Sequence, residues 1–215
     1  MDTKVEASGF ALSRRRAGGE RREKVLRQVI AVIAERGYDR TRFADVATVS
    51  GVAVSTLQFY FGSREDMLVE ALHRSIEEEV LALESSYRPE SSPWERLVAL
   101  VDRGLDPAAQ ITGKMLLEFW HASARDPQLR AVGAYLCQRY RQPFIDAIRA
   151  GVEHGSFRTA DDPEDVVTVL NGILEGLIIP RVLEHDYYHV QQVRKIVMRT
   201  LAGLLDVSES VSTDG

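Results

Sequence analysis

The 215-residue chain predicts an all-α protein of about nine helices, in which a small N-terminal helix-turn-helix domain of three helices precedes a larger helical body. Three observations carry that expectation. The stretch TRFADVATVSGVAVSTLQFYFGSRED, residues 41–66, reads as two short helices joined by a tight turn at Gly51. Elsewhere apolar residues recur at helical rather than alternating spacing, and few β-branched clusters are bounded by hairpin turns. Asp-Pro recurs at Asp106-Pro107, Asp126-Pro127 and Asp162-Pro163. Asp suits the N-cap and Pro the first helical position, so each pair marks a helix start.

Residues 1–19 are mostly polar, hold Gly9, Gly18 and Gly19, and show no period; they predict a flexible basic arm. From Glu20, Leu26, Val29, Ile30 and Ile33 fall on one face of a first helix, which Gly37 ends. Thr41 is expected to cap the second helix, whose Phe43, Val46, Ala47 and Ser50 face one way. The third covers roughly Val54–Phe61. Ser63 and Asp66 resemble a capping box and start a fourth helix through Met67, Leu68, Ala71, Leu72 and Ile76 to about Ser86. Pro93 opens another. The remaining helices are placed at about 93–105, 107–125, 127–154, 163–184 and 187–206, with Pro143 and Pro180 expected to kink or break two of them. The expected domains are an arm over 1–19, a helix-turn-helix domain over 20–66, a ligand-binding and dimerisation domain over 67–206, and a frayed tail over 207–215.

Charge is distributed unevenly. The net charge is −5, yet residues 14–64 hold eleven Lys/Arg against five carboxylates, a net of +6 that leaves −11 for everything else. A basic head on an acidic body is expected when only one end meets nucleic acid. The lone Cys137 has no partner for an internal disulfide and suits a reducing compartment. The first apolar stretch, Phe10–Leu12, is too short for a secretory signal. Val166–Ile179 is interrupted by Asn171 and Glu175 and then meets Pro180, short of the ~20 apolar residues a membrane span needs. These features predict a cytoplasmic protein with no membrane partner.

The third helix has the make-up of a DNA-reading element. Val54, Ser55 and Thr56 at its start are small enough for close approach to a groove, and Leu57 and Phe61, four apart, face inward. Gln58 can read adenine in bidentate fashion or contact phosphate. Tyr60 and Arg64 suit phosphate oxygens, which set position rather than sequence. Thr41, Arg42 and Phe59 complete the expected DNA-facing set. The plainer alternative is a helix-turn-helix inside a helical bundle with no DNA partner; the charge asymmetry argues against it.

Residues 20–70 resemble the DNA-binding domain of the TetR family of bacterial transcriptional regulators. The family pattern of an Ile/Val-Ala pair, an Ala/Ser-Gly turn, a Thr-Leu-Tyr-aromatic-His-Phe run and a Lys/Arg-Glu pair is met by Val46-Ala47, Ser50-Gly51, Thr56-Leu57-Gln58-Phe59-Tyr60-Phe61 and Arg64-Glu65. Gln58 stands where the family usually has Tyr, and Tyr60 where it often has His, which puts the operator sequence in question rather than DNA binding. Ala53 replaces the usual Ser cap, at a cost of about 1 kcal/mol. The stretches WHASARDPQLR and RQPFIDAIRAGVEHGSFR are similar to C-terminal domains of the BetI-like branch. The resemblance implies an all-helical homodimer that binds a double-stranded operator and a small-molecule effector, its last two long helices forming a four-helix bundle with their mates. On that basis Val166, Leu170, Ile173, Leu177, Val193, Val197 and Leu201 are expected at the dimer interface, with Gly172 and Gly176 allowing close approach.

An effector cavity is expected among the middle helices. Met115, Leu116, Phe119, Trp120, Tyr135, Tyr140 and Phe144 are candidate lining residues, with Arg139, Asn171 and Glu175 as orienting groups. Such a stripe also suits plain core. Glu175, in GILEGLII, is costly to bury unpartnered, so it reads either a donor-rich or cationic ligand or pairs with Arg181 or Arg139 across a dimer. His185 and His189 suit a loop or dimer edge better than a metal site, and Glu77-Glu78-Glu79 suits a solvated face. No nucleophile elbow, phosphate loop, zinc-protease helix or Cys/His cluster is present, so neither catalysis nor a cofactor or metal is expected. The expected function is a regulator, repressing in character, released from a pseudo-palindromic operator by a small molecule. The alternatives are a DNA-binding regulator controlled by a protein partner or acting as an activator, and an all-helical enzyme.

Overall fold

The structure, a computed structural model, describes residues 19–106, 110–185 and 189–207, with backbone alone for 110–112 and 128. The expected arm, the tail beyond 207, Pro107 and Asp186 lie outside these residues. The described residues form ten helices and no strand. The chain divides into two compact units between Ala71 and Leu72.

The first unit holds α1 (Gly19–Arg36), α2 (Phe43–Ser50), α3 (Val54–Phe61) and the start of α4 (Arg64–Glu84). The predicted stripe of α1 is buried, and Val25 and Val32 join it. Gly37 and Gly51 end α1 and α2 with positive φ, their N–H groups donating to the carbonyls of Ile33 and Ala47. Thr41 does not cap α2. The cap position is Arg42, whose N–H donates to the Asp45 carboxylate at 2.8 Å, while the Thr41 hydroxyl turns back to the Gly37 carbonyl at 2.8 Å. Ala53 at the start of α3 makes no side-chain cap, as its methyl dictates. Ser63 and Asp66 do form the reciprocal box at the start of α4.

The second unit continues through α5 (Pro93–Leu105), α6 (Gln110–Ser123), α7 (Pro127–Glu153), α8 (Pro163–Gly176), α9 (Ile178–Val182) and α10 (Val190–Leu204). The Ser92–Glu95 box and Pro93 start α5. Asp126 and Asp162 cap α7 and α8 as their Asp-Pro pairs predict. Pro143 leaves α7 unbroken; Phe144, Ile145 and Ile148 just beyond it are buried and hold the helix. Pro180 has the opposite effect. Its ring would meet the carbonyl of Gly176, four residues back, so the single helix expected over 163–184 is two, parted at Leu177.

The main core joins Leu83, Leu97, Leu100, Phe144, Ile148, Phe157, Val167, Leu170, Val197 and Leu201, from α4, α5, α7, α8, α10 and the turn after α7. A smaller cluster of Ile76, Val80 and Leu136, with Leu116, Val132 and Tyr140 packed on it, joins α4, α6 and α7. No helix among the described residues is long and apolar enough to cross a membrane.

Candidate DNA-reading face and ligand cavity

In the first unit α3 presents Val54, Ser55, Gln58 and Phe59 to solvent and buries Leu57 and Phe61. Thr56 is half-buried and Arg42 exposed. Three expected DNA contacts are placed differently. Tyr60 as a residue is only 8% exposed, and its ring packs beside Phe59 and Phe61. Thr41 is fully buried, so its side chain has no free edge. Arg64 turns inward: its Nε donates to the Thr41 carbonyl at 2.6 Å, a terminal nitrogen donates to the Tyr38 carbonyl, and its guanidinium lies 5.4 Å over the Tyr38 ring. Sequence spacing marks which residues fall near the groove, but long-range carbonyl acceptors such as these leave no local signal.

Arg22 does similar work against the last residues of α3. It pairs with Glu70 and lies 5.0 Å over the Phe61 ring. Two of the basic residues are therefore internal clamps. The cations left exposed are Arg21, Lys24 and Arg27 on α1, with Arg36, Arg40 and Arg42 around the turn into α2. The helix α3 itself carries no charged side chain.

The second unit contains a cavity of about 70 Å³ between the two apolar clusters. Of the expected lining set, Leu116, Trp120, Tyr140, Asn171 and Glu175 meet there. The others do not. Phe144 belongs to the main core, and Met115 and Phe119 are buried away from the cavity, Phe119 against Gly133. Tyr135 is exposed and stacks on His73, and Arg139 points to solvent. Glu79, Arg103, Cys137 and Arg181 complete the polar wall, and sequence reasoning missed their roles there.

Glu79 is the clearest correction. It is buried rather than solvated and accepts two hydrogen bonds from Arg103, at 2.9 and 2.6 Å. A signal existed: Glu79 falls on the stripe of Leu72, Ile76, Val80 and Leu83 that faces the interior. The Glu79 pairing holds the Arg103 guanidinium above its ordinary value.

Other groups at the cavity lack such partners. Asn171 Oδ1 and Arg181 Nε are buried with no hydrogen bond, although another Arg181 nitrogen donates to the Gly104 carbonyl at 3.0 Å. Within the chain Glu175 has no ion pair among the described residues. Burial pushes its carboxyl above the ordinary range, opposed by Arg141. Burial raises the Tyr140 phenol, with the Glu79 charge adding to it, and raises the Cys137 thiol, with Glu175 adding. Both therefore stay protonated near neutrality, as hydrogen-bonding neutral groups rather than nucleophiles.

Of the seven residues expected at a dimer interface, four are buried and three partly buried within the single chain. Val166, Leu170, Val197 and Leu201 are buried in the chain's own core, with Ile173, Leu177 and Val193 packed against it. The large apolar side chains left exposed on these last helices are Val169, at 53%, on α8, Ile179 on α9 with Leu183 at its C-terminal end, and Ile196, at 48%, on α10. A Cβ added at Gly172, Gly176 or Gly203 would meet open space. His185 and His189 flank residues 186–188, and His189 occupies the N-cap position of α10.

A charge-free α3 in a unit with exposed cations on α1 and the turn into α2, followed by a second unit holding a cavity with unsatisfied polar groups, is the make-up of a helix-turn-helix transcriptional regulator with a separate helical domain. Comparison with known proteins agrees. The profile of the tetR family of bacterial regulatory proteins matches residues 26–71, and that of the C-terminal domain of BetI-type transcriptional repressors matches residues 81–206. The chain belongs to the TetR family of transcriptional regulators. It is 32% identical over 114 residues to the regulator BetI of Stenotrophomonas maltophilia, a match spanning 51% of this chain and 57% of that one. It is 24% identical to the BetI of Rhizobium meliloti over 76% of this chain and 79% of that one. Among solved structures, a transcriptional regulator from Saccharomonospora viridis in complex with choline superposes with a TM-score of 0.78 at 26% identity, covering 87% of this chain and 98% of that one. The fold is also that of FadR from Bacillus subtilis in complex with stearoyl-CoA, with a TM-score of 0.72, 18% identity and coverage of 83% and 96%.

Proposed function

We propose that this regulator is a homodimeric repressor, released from a pseudo-palindromic operator when a compact small molecule enters the cavity of the second unit. The observation that carries the effector is the set of unsatisfied groups at one cavity: Asn171 Oδ1, Arg181 Nε and Glu175, which has no ion pair among the described residues, beside a Glu79–Arg103 pair that satisfies itself. Buried polar atoms without partners cost free energy that a ligand can recover. Two of the three are acceptors, which supports an effector with a hydrogen-bond-donating or cationic head and a short apolar body. The Trp120 and Tyr140 rings suit such a head. The choline held by the S. viridis relative has this character. The cavity volume of about 70 Å³ favours it over a long acyl chain, for which the wall would have to open much further.

The proposed route to release runs along α4. Ile76 and Glu79 of this helix stand in the cavity wall, while Arg64, Met67 and Leu68 at its start belong to the DNA-binding unit. A ligand that binds better when α4 is displaced changes the spacing of two recognition helices, which must sit about 34 Å apart to enter successive major grooves. The second copy covers the Val169, Gly172, Gly176 and Ile196 face.

The test is fluorescence anisotropy of the full chain on a duplex selected from random DNA, with a scrambled competitor, a salt series and a panel of small amines and quaternary ammonium compounds. Release of the selected duplex by one of them, lost in Asn171→Leu, supports the proposal. Specific binding that none of the panel reverses removes the effector class. Val169→Lys should convert the dimer to monomer in sedimentation without lowering helicity; an unchanged sedimentation coefficient refutes that face.

A further inference from the structure

The helix that enters the groove carries one side chain that the regulator reading leaves unexplained. Phe59 is 62% exposed, the most exposed large apolar residue among those described, and sits on α3 one turn after Ser55 and directly after Gln58. Its only ring neighbour is Tyr60, tilted at 6.2 Å. A phenyl ring can neither donate to a phosphate oxygen nor accept from a base edge. Its place on the exposed, charge-free face of α3, in a unit whose exposed cations include Arg21, Lys24, Arg27, Arg40 and Arg42, nevertheless turns it toward DNA on that reading. The polyanionic rim offers such a ring nothing to bury against. The major-groove floor offers one apolar group, the C5-methyl of thymine.

We infer that Phe59 is a specificity-determining residue that reads a thymine methyl in each half-site, next to the base read by Gln58. The inference rests on the DNA-binding reading above. The α3 face that carries it, Val54, Ser55, Gln58 and Phe59, holds one amide, one hydroxyl and two apolar side chains and no charge. Such a face suits A·T pairs: the amide takes adenine N6 and N7, and the ring covers a thymine methyl one or two base pairs away. The same geometry disfavours a guanine-rich half-site, where the commonest readers are Arg and Lys, which α3 lacks.

The test changes the DNA and leaves the protein intact. Sites are selected from random duplex by the full chain, and each thymine of the half-site is replaced in turn by deoxyuridine, which deletes only the methyl. The expected result is about fourfold weaker binding at one thymine per half-site, the worth of one methyl removed from water, and no change at the others. Phe59→Ala should bind thymine and uracil duplexes equally while melting like wild type, because the ring is exposed. Gln58→Ala should keep the thymine preference. Equal affinity for thymine and uracil at every position, as a sugar contact would give, overturns the inference while leaving the regulator reading in place. Selected half-sites without thymine overturn it as well. A selection that enriches no sequence overturns the DNA-reading proposal and this inference together.

Discussion

Arg64 and Thr41, 23 residues apart, are joined by a 2.6 Å hydrogen bond from the guanidinium Nε to the main-chain carbonyl. With the second bond to the Tyr38 carbonyl, it ties the first residue of α4 to the turn between α1 and α2. Arg64→Ala is expected to destabilise the DNA-binding unit by about 2 kcal/mol, the usual worth of charged hydrogen bonds of this kind. The slope of log affinity against log salt should stay near that of wild type. Arg42→Ala should do the reverse, leaving the melting temperature in place and flattening the slope by about 0.9 if Arg42 neutralises one phosphate. Thermal melts and a salt titration of both variants separate the clamp from the phosphate contact.

Glu79 and Arg103 supply a second test. Glu79→Ala leaves the Arg103 guanidinium with only the Asp106 carboxylate, at 3.3 Å, and without its two shorter bonds, so it should cost about 2 kcal/mol. The double variant Glu79→Met, Arg103→Leu should recover most of that loss, because two apolar side chains replace the pair in a wall already lined by Ile76, Leu136 and Leu174. Chemical denaturation of the three chains forms the cycle. A double variant as weak as the single one would mean that the apolar pair does not fill the site.

Gly151 is held glycine by Phe157. A Cβ built at Gly151 would lie 2.0 Å from the Phe157 ring, which is buried and edge-on to Trp94. The Gly151 carbonyl also accepts the Ser156 and Phe157 N–H groups that turn the chain after α7. Gly151→Ala is expected to cost about 3 kcal/mol by overpacking. Adding Phe157→Leu should cost less than the sum of the two single changes, and a double-mutant cycle by thermal denaturation checks the coupling.

Glu175 gives a pH dependence of definite sign. Its folded carboxyl is held above the ordinary value of 4.5 by burial. The folded chain therefore binds more protons than the unfolded one as pH rises through that value, and the contribution of Glu175 to stability falls until its folded group ionises. Glu175→Gln removes the loss. The variant should melt higher than wild type at neutral pH, and the difference should shrink as pH falls toward 4. A difference independent of pH would assign the effect to packing.

The helix starts and stops were legible because they are local: Gly37, Gly51, Ser92 with Glu95, and Asp162-Pro163 act within a few residues of themselves. The inward faces of α1 and α3 were legible from period alone. What the sequence left open depends on partners far along the chain. Glu79 read as one of three solvated carboxylates because Arg103 lies 24 residues away. Arg64 and Tyr60 read as phosphate ligands because carbonyls and rings that enclose them leave no pattern. The terminal helices are apolar on two faces, and period cannot say which face the protomer keeps; Val166 and Leu170 go inside and Val169 stays out. Of the cavity, five expected residues converge, because aromatic and polar positions on adjacent helices were recognisable while the outcome of packing between them was not.

The absence of charge from α3 separates two quantities that most DNA-binding surfaces mix. On the proposed reading, attraction to the duplex would come from the exposed cations of α1 and the α1–α2 turn, and would weaken on every sequence alike as counterions compete. Discrimination would come from an amide, a hydroxyl and apolar atoms on α3, which counterions do not touch. Changes in ionic strength would therefore alter how much of the DNA is occupied without reordering which sites are preferred, and the gap between the best site and random sequence would persist where total affinity has fallen many-fold.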